Sequence, residues 1–264
     1  KTVDIAAVDD TFVDGTQTTT ITASATGFVS DSVSIDVLDD EVAGFAVTIS
    51  GADTAISEPS GTDTFEVVLT GRPSTVVEFN VSLNDGSRVS LDQSTLTFDS
   101  ADWNIPKEVT LTAIDNFLID GIGTPQVTVS VRDASSNDFF DDLNDQTVDV
   151  TVLNDDVAGL IVVESGGSTD VNEFGTQDSF TVELTAQPSS TVILSIVSGD
   201  PTQVAVNDIE LAFNGTNWNI PQTITVSGVP DFIPEGPQSY PVTISVDDNR
   251  SDNNFDPVND AVVM

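Results

Sequence analysis

The chain has 264 residues, of which 44 are Asp or Glu and 6 are Lys or Arg, giving a formal net charge of −38. A field of that sign repels nucleic acids and anionic lipid headgroups and attracts cations. Without His or Cys there is no Ser-His-Asp or Cys-His nucleophile, no disulfide and no zinc site of the usual nitrogen and sulfur type.

Residues 1–41 read as the C-terminal part of a β-sandwich repeat. Lys1-Thr2-Val3 to Asp14-Gly15 parallels Lys107-Glu108-Val109 to Asp120-Gly121, and Val33 to Val42 parallels Val148 to Val157, 115 positions on. This stretch carries two acidic clusters, Asp9-Asp10 with Asp14, and Asp39-Asp40-Glu41.

Residues 42–156 form one complete repeat. Val77, Phe79, Val81 and Leu83 alternate with polar residues, as do Val109, Leu111 and Ala113, and Val148, Val150 and Val152. That period of two predicts half-buried strands, with Val148 to Leu153 as one of them. Turn residues gather between them, as in Gly71-Arg72-Pro73-Ser74 and Asn84-Asp85-Gly86-Ser87, so about seven short strands and no long helix are expected. Oxygen side chains collect at three places: Glu58; Asp115-Asn116 followed by Asp120; and Asn154-Asp155-Asp156.

Residues 157–264 repeat the pattern without a gap, 115 positions on. Val157-Ala158-Gly159 answers Val42-Ala43-Gly44, Phe180 answers Phe65, and Trp218-Asn219-Ile220-Pro221 answers Trp103-Asn104-Ile105-Pro106. Glu173, Asp231 and Glu235 keep part of the acidic pattern, and the counterpart of the last strand is lacking. The expected architecture is all-β: tandem antiparallel β-sandwiches of about 115 residues, end to end, in a segment of a longer array.

Successive strands of a sandwich put loops at alternating ends, so distant acidic loops converge at one pole. Calcium suits such a site because it takes six to eight oxygens from flexible mixtures of carboxylate, carbonyl and water, whereas magnesium demands a stricter octahedron. Of the 44 acids most are Asp, the short carboxylate that suits turns and hard-cation loops.

Glu58 with Phe65-Glu66-Val67-Val68-Leu69 seven residues on, and Glu173 with Phe180-Thr181-Val182-Glu183-Leu184, resemble the Calx-β domain. So do Leu96-Thr97-Phe98, the Ile114-Asp115-Asn116 to Asp120-Gly121 stretch, and the closing Val150-Thr151-Val152-Leu153-Asn154-Asp155-Asp156. The whole chain looks most like the Calx-β-like arrays of large bacterial cell-surface adhesins. The resemblance implies Ca²⁺ held by Glu58, Asp115, Asp120, Asp155 and Asp156. Asn116 stands where a second Asp is usual; in the last repeat Pro230 and Glu235 depart from the pattern as well, which implies one ion per junction and a weaker last site.

The competing reading of the acids is ordinary turn chemistry, in which Asp and Asn bond their own backbone. The acid-rich stretches Asp133 to Asp145 and Asp247 to Asp260 read either as solvated loops pinned by Phe140 and Phe255 or as a further ion or ligand surface. Trp103 and Trp218 are expected to pack at a sandwich edge. Acids that recur at every joint argue against an enzyme. The expected function is a calcium-stiffened extracellular stalk, at the cell surface, whose partners are calcium ions, neighbouring repeats and a surface ligand. The alternative is a filament or sheath subunit assembled by strand complementation between chains.

Overall fold

The computed structural model describes residues 2–231, 233 and 236–264. The chain divides into two compact units, Lys1–Asp115 with Ile122–Leu153, and Asn116–Gly121 with Asn154–Met264.

The first unit begins with β1 (Phe12–Val13), β2 (Gln17–Ala23) and β3 (Asp31–Val37). It continues with β4 (Phe45–Ile49), β5 (Ala55–Ser57), β6 (Thr62–Leu69), β7 (Arg72–Pro73), β8 (Val77–Leu83), β9 (Val89–Leu91) and β10 (Thr95–Phe98). It closes with β11 (Lys107–Ala113), β12 (Gln126–Val131), β13 (Gln146–Asp149) and β14 (Thr151–Leu153). Two antiparallel sheets, in the orders β4-β6-β11-β9 and β10-β8-β12-β13, enclose one core. The alternation explains why: Val77, Phe79 and Val81 of β8 and Val109, Leu111 and Ala113 of β11 are all buried, while their polar neighbours are not. Phe65, Phe79, Phe98 and Phe140 are fully enclosed, and Phe79 meets Phe98 edge to face at 5.9 Å. Each such ring stabilises the fold by roughly 1.5–3 kcal/mol relative to exposure.

The strand expected over Val148 to Leu153 is divided. β13 pairs antiparallel with β12; at Val150 the backbone N–H donates to Pro125 O, and that of Thr151 to Thr54 O. From there β14 runs parallel to β5. Val150 and Val152 remain buried across the switch, 1 % exposed each.

β2 and β3 form a two-stranded antiparallel sheet whose residues are mostly exposed. β1 pairs in parallel with β7, Phe12 opposite Arg72, and the Arg72 guanidinium lies 4.1 Å from the Phe12 ring centroid.

In the second unit β15 (Leu160–Glu164), β16 (Gln177–Leu184), β17 (Val192–Ser198), β18 (Val204–Val206), β19 (Glu210–Phe213), β20 (Gln222–Gly228), β21 (Val242–Val246) and β22 (Ala261–Val263) build two sheets. Their orders are β15-β16-β20-β18 and β19-β17-β21-β22, around a core containing Phe180, Phe213 and Phe255. Residues 116–121 pack with this unit: Gln187 N–H donates to Phe117 O at 2.7 Å, and Leu118 bridges Gln187 in parallel. These positions match the β1–β7 pairing in the sequence repeat. Phe117 takes a left-handed conformation, φ 64°, and its ring sits 5.6 Å from that of Trp218. Both tryptophans pack against their unit's core as half-buried side chains. No described helix is long and apolar enough to cross a membrane.

Candidate metal centre

The ladder between β2 and β3 opposes Gln17 to Val37, so the turn before β2 and the loop after β3 leave the hairpin at the same end. Asp39 ties them together. One carboxylate oxygen accepts the N–H groups of Asp14 at 2.9 Å and Gly15 at 2.6 Å, and the other accepts that of Glu41 at 3.0 Å. Gly15 sits at φ 70°, a left-handed backbone that glycine adopts without steric cost. Asp10 performs a similar local task, accepting from Phe12 N–H at 2.9 Å.

With Asp10 and Asp39 engaged by backbone donors, Asp9, Asp40 and Glu41 are left with carboxylate oxygens all within 4.8 Å of one another. Asp10, Asp14 and Asp39 line the same depression. Among the described residues no lysine or arginine forms an ion pair with any of the six. The electrostatics follow from this crowding. N–H donation, first from Gly15 and then from Glu41, holds the Asp39 carboxyl below its usual range. Glu41 is pushed up by its hydrogen bond with Asp39, by burial and by the charge of Asp40. An all-oxygen, anionic cluster on two loops is the donor chemistry of a hard divalent ion.

The middle repeat distributes its acids over both units. In the first, Glu58 is buried at 4 % exposure, and its N–H donates at 3.0 Å to the carbonyl of Leu153, the residue that precedes Asn154-Asp155-Asp156 in the chain. Asp115 is exposed just beyond β11. In the second unit, Asn116 accepts from Leu118 N–H at 2.6 Å and Asn154 accepts from Asp156 N–H at 2.6 Å. The amide of Asn154 donates to Leu118 O at 2.8 Å and to Asp120 Oδ1 at 3.4 Å. Asn116 and Asn154 thus repeat the local bonds of Asp10 and Asp39, their counterparts in the first copy. Asp155 is exposed and Asp156 half-buried.

In the last repeat Glu173 is half-buried in the turn before β16. Asp231 accepts from Ile233 N–H and from the Gln203 amide, both at 2.8 Å, and these two donors hold its carboxyl below the usual range. Glu235 lies outside the described residues. Among those described, no group of three carboxylates within 4.8 Å includes Glu173 or Asp231.

The two long acid-rich loops are pinned by Phe140 and Phe255, each 0 % exposed. A second pin escaped the sequence reading. Asn137 and Asp252, both 5 % exposed, sit three positions before those phenylalanines. Asn137 donates to Ser74 Oγ at 2.9 Å. Asp252 accepts from Ser189 N–H and Oγ–H, both at 2.7 Å, and from Ser190 and Asn254 N–H. The available signal was the shared spacing of a polar residue, two intervening residues and Phe, opposite a Pro-Ser turn in each copy.

No protein-family model matches the chain, and no curated protein matches it. Among solved structures it is similar to the calcium-binding domain CBD12 of CALX1.1, at 14% identity over 76% of this chain and 79% of that one, with a TM-score of 0.32. CBD12 from CALX1.2 is 15% identical over the same shares, with a TM-score of 0.29. Protocadherin gammaB7 EC3-6 is 16% identical over 95% of this chain and 55% of its own, with a TM-score of 0.35. Likenesses of this extent assign no family.

Proposed function

We propose that the chain is a calcium-binding segment of an extracellular repeat array, serving as a stiffened stalk in adhesion or surface architecture. The observation that carries this reading is the meeting of Asp9, Asp40 and Glu41 within 4.8 Å on loops already fixed by Asp39. These three would hold Ca²⁺, with Asp10 and Asp14 at the rim. By the sequence repeat, Asp115, Asn116, Asp120, Asp155 and Asp156 with Glu58, and the set Glu173, Asp231 and Glu235, would serve the following junctions. The ion supplies positive charge where like charges crowd, and it joins the loop preceding β1 to the loop following β3. Outside cells calcium is abundant enough to fill the weak end of oxygen sites, Kd about 10⁻⁴–10⁻³ M. Binding only the folded state stabilises it by mass action. Nothing in this chemistry calls for a substrate, and the reading is of a structural protein.

The test is a calcium titration with a chelator control, following melting temperature and the maximum dimension from X-ray scattering. The expected result is a rise in melting temperature that the chelator reverses and that Asp40→Asn with Glu41→Gln diminishes. A melting temperature and a maximum dimension both indifferent to calcium would overturn the reading.

A further inference from the structure

The acid-rich loops at 133–145 and 247–260 have no part in the metal reading, and among the described residues no group of three carboxylates within 4.8 Å includes an acid of either. Each loop is fastened to its own sandwich by two buried side chains, Asn137 and Phe140 in the first unit, Asp252 and Phe255 in the second. Between those anchors stands one residue whose backbone is fixed as well. Phe139 N–H donates to Asn137 Oδ1, and Asn254 N–H donates to Asp252 Oδ1, both at 3.1 Å. Phe139 and Asn254 occupy the same place in the repeat, and both side chains are exposed, Phe139 by 50 %.

These two side chains reach the same feature. A methyl group on Gly15 would fall 2.7 Å from Cε1 and Cζ of Phe139, well inside the separation at which carbon atoms pack, so the ring lies directly on the glycine. Gly15 is the residue whose N–H reaches Asp39 at 2.6 Å, and Phe139 shares one cleft with Gly15, Asp39 and Glu41. In the second unit the Asn254 amide donates to Ile119 O at 3.1 Å. Ile119 is the counterpart of Val13 and stands two residues before Gly121, which takes the left-handed conformation of Gly15, φ 71° against 70°. One position in the loop thus touches the same acidic turn in both copies, by an apolar contact in one and a hydrogen bond in the other. Solvated loops have no cause to meet one turn twice, and an ion-binding loop would bring carboxylates to the contact in place of a ring and an amide.

We propose that the two loops are struts that hold the acidic turn of the preceding repeat, and that Phe139 is a positioning residue for the first metal site. By covering Gly15 it keeps that N–H on Asp39, and the turn is organised before an ion arrives, which spares the ion the cost of ordering it. The effect on the ion rests on the calcium reading above; the strut itself does not.

Amide hydrogen exchange of the whole chain in chelator tests the strut alone. Phe139→Ala should speed exchange at Asp14 and Gly15 by about fivefold, the share of a phenylalanine burial that a half-exposed ring supplies. Amides of β8 and β11 should keep their protection, which shows the sandwich intact, and Phe139→Leu, which retains apolar cover, should keep most of the protection at the turn. Asn254→Ala should speed exchange over 118–121 and leave 14–15 unchanged. A calcium titration of the same proteins then reads the positioning. Phe139→Ala should weaken binding at the first site by about threefold or more, because the ordered turn is the binding-competent state, and Phe139→Leu should bind as the unaltered chain does. Unchanged exchange at 14–15 in Phe139→Ala overturns the proposal, and so does faster exchange with undiminished calcium affinity. An unaltered chain that binds no calcium overturns the metal reading instead, and the exchange comparison still decides whether the loops are struts.

Discussion

Asp252 shows how a single carboxylate can be structural in an acid-rich chain. Burial by itself would raise its affinity for a proton, but the Ser189 hydroxyl and the N–H groups of Asn254, Ser190 and Ser189 outweigh that and hold the carboxyl below its ordinary value of 3.8. The sign of the pH dependence follows. A carboxyl depressed in the folded state contributes its full stabilisation above the unfolded value and loses it as pH falls through the folded one. Asp252→Asn should therefore lower stability at neutral pH by about 1–3 kcal/mol, the scale of hydrogen bonds to a charged acceptor, and flatten the acid limb. Urea denaturation midpoints between about pH 2 and pH 7 read both effects; parallel curves for the two proteins would show that the bonds to Asp252 carry no linked proton. The first unit has Asn137 at this place, an amide that keeps the pin without titrating. Asp10 and Asp39 teach a related lesson about legibility. The sequence placed six acids at the first junction, but it does not say which oxygens accept backbone N–H groups, because Asp serves turns and cations alike. That division emerges only when Gly15 takes its left-handed turn and aims its N–H at Asp39.

The periodicity of two located most elements because one face of each strand is buried and the other is not, as β8 and β11 show residue by residue. It could not reveal where Val148 to Leu153 changes partners, since alternation looks the same whether a strand pairs with β12 or β5. Nor could it expose the parallel contact between β1 and β7, which rests on two residues a side and on the Phe12–Arg72 contact. The long loops were legible as loops but ambiguous in purpose. Their fixed point is an aromatic ring in the core, so Phe255→Ala should cost about 3–5 kcal/mol and bring premature amide exchange over 247–260. Asp256→Asn, at an exposed position beside it, should leave the unfolding free energy within about 0.5 kcal/mol. Equal costs for the two substitutions would mean that the loop is held by its acids instead of its ring.

At the scale of the whole molecule, a charge of −38 destabilises the compact state by self-repulsion. Two remedies have different signatures. Screening by sodium chloride acts on charges farther apart than the Debye length, about 10 Å at 0.1 M, and acts weakly within a cluster whose oxygens lie inside 4.8 Å. Site binding adds RT ln(1 + [Ca²⁺]/Kd), which beyond Kd amounts to about 1.4 kcal/mol per tenfold of free calcium per site. The two units each carry one tryptophan, Trp103 and Trp218, so Trp218→Phe leaves the fluorescence of the first unit and Trp103→Phe that of the second. With each variant in about 0.5 M sodium chloride, unfolding free energy plotted against the logarithm of free calcium should rise for the first unit with a slope of at least one site. Magnesium should produce less at equal concentration because of its stricter coordination. If salt alone reproduces the full rise and calcium adds nothing at high salt, the acids at the first junction act as surface charge, and a stalk stiffened ion by ion has no physical basis.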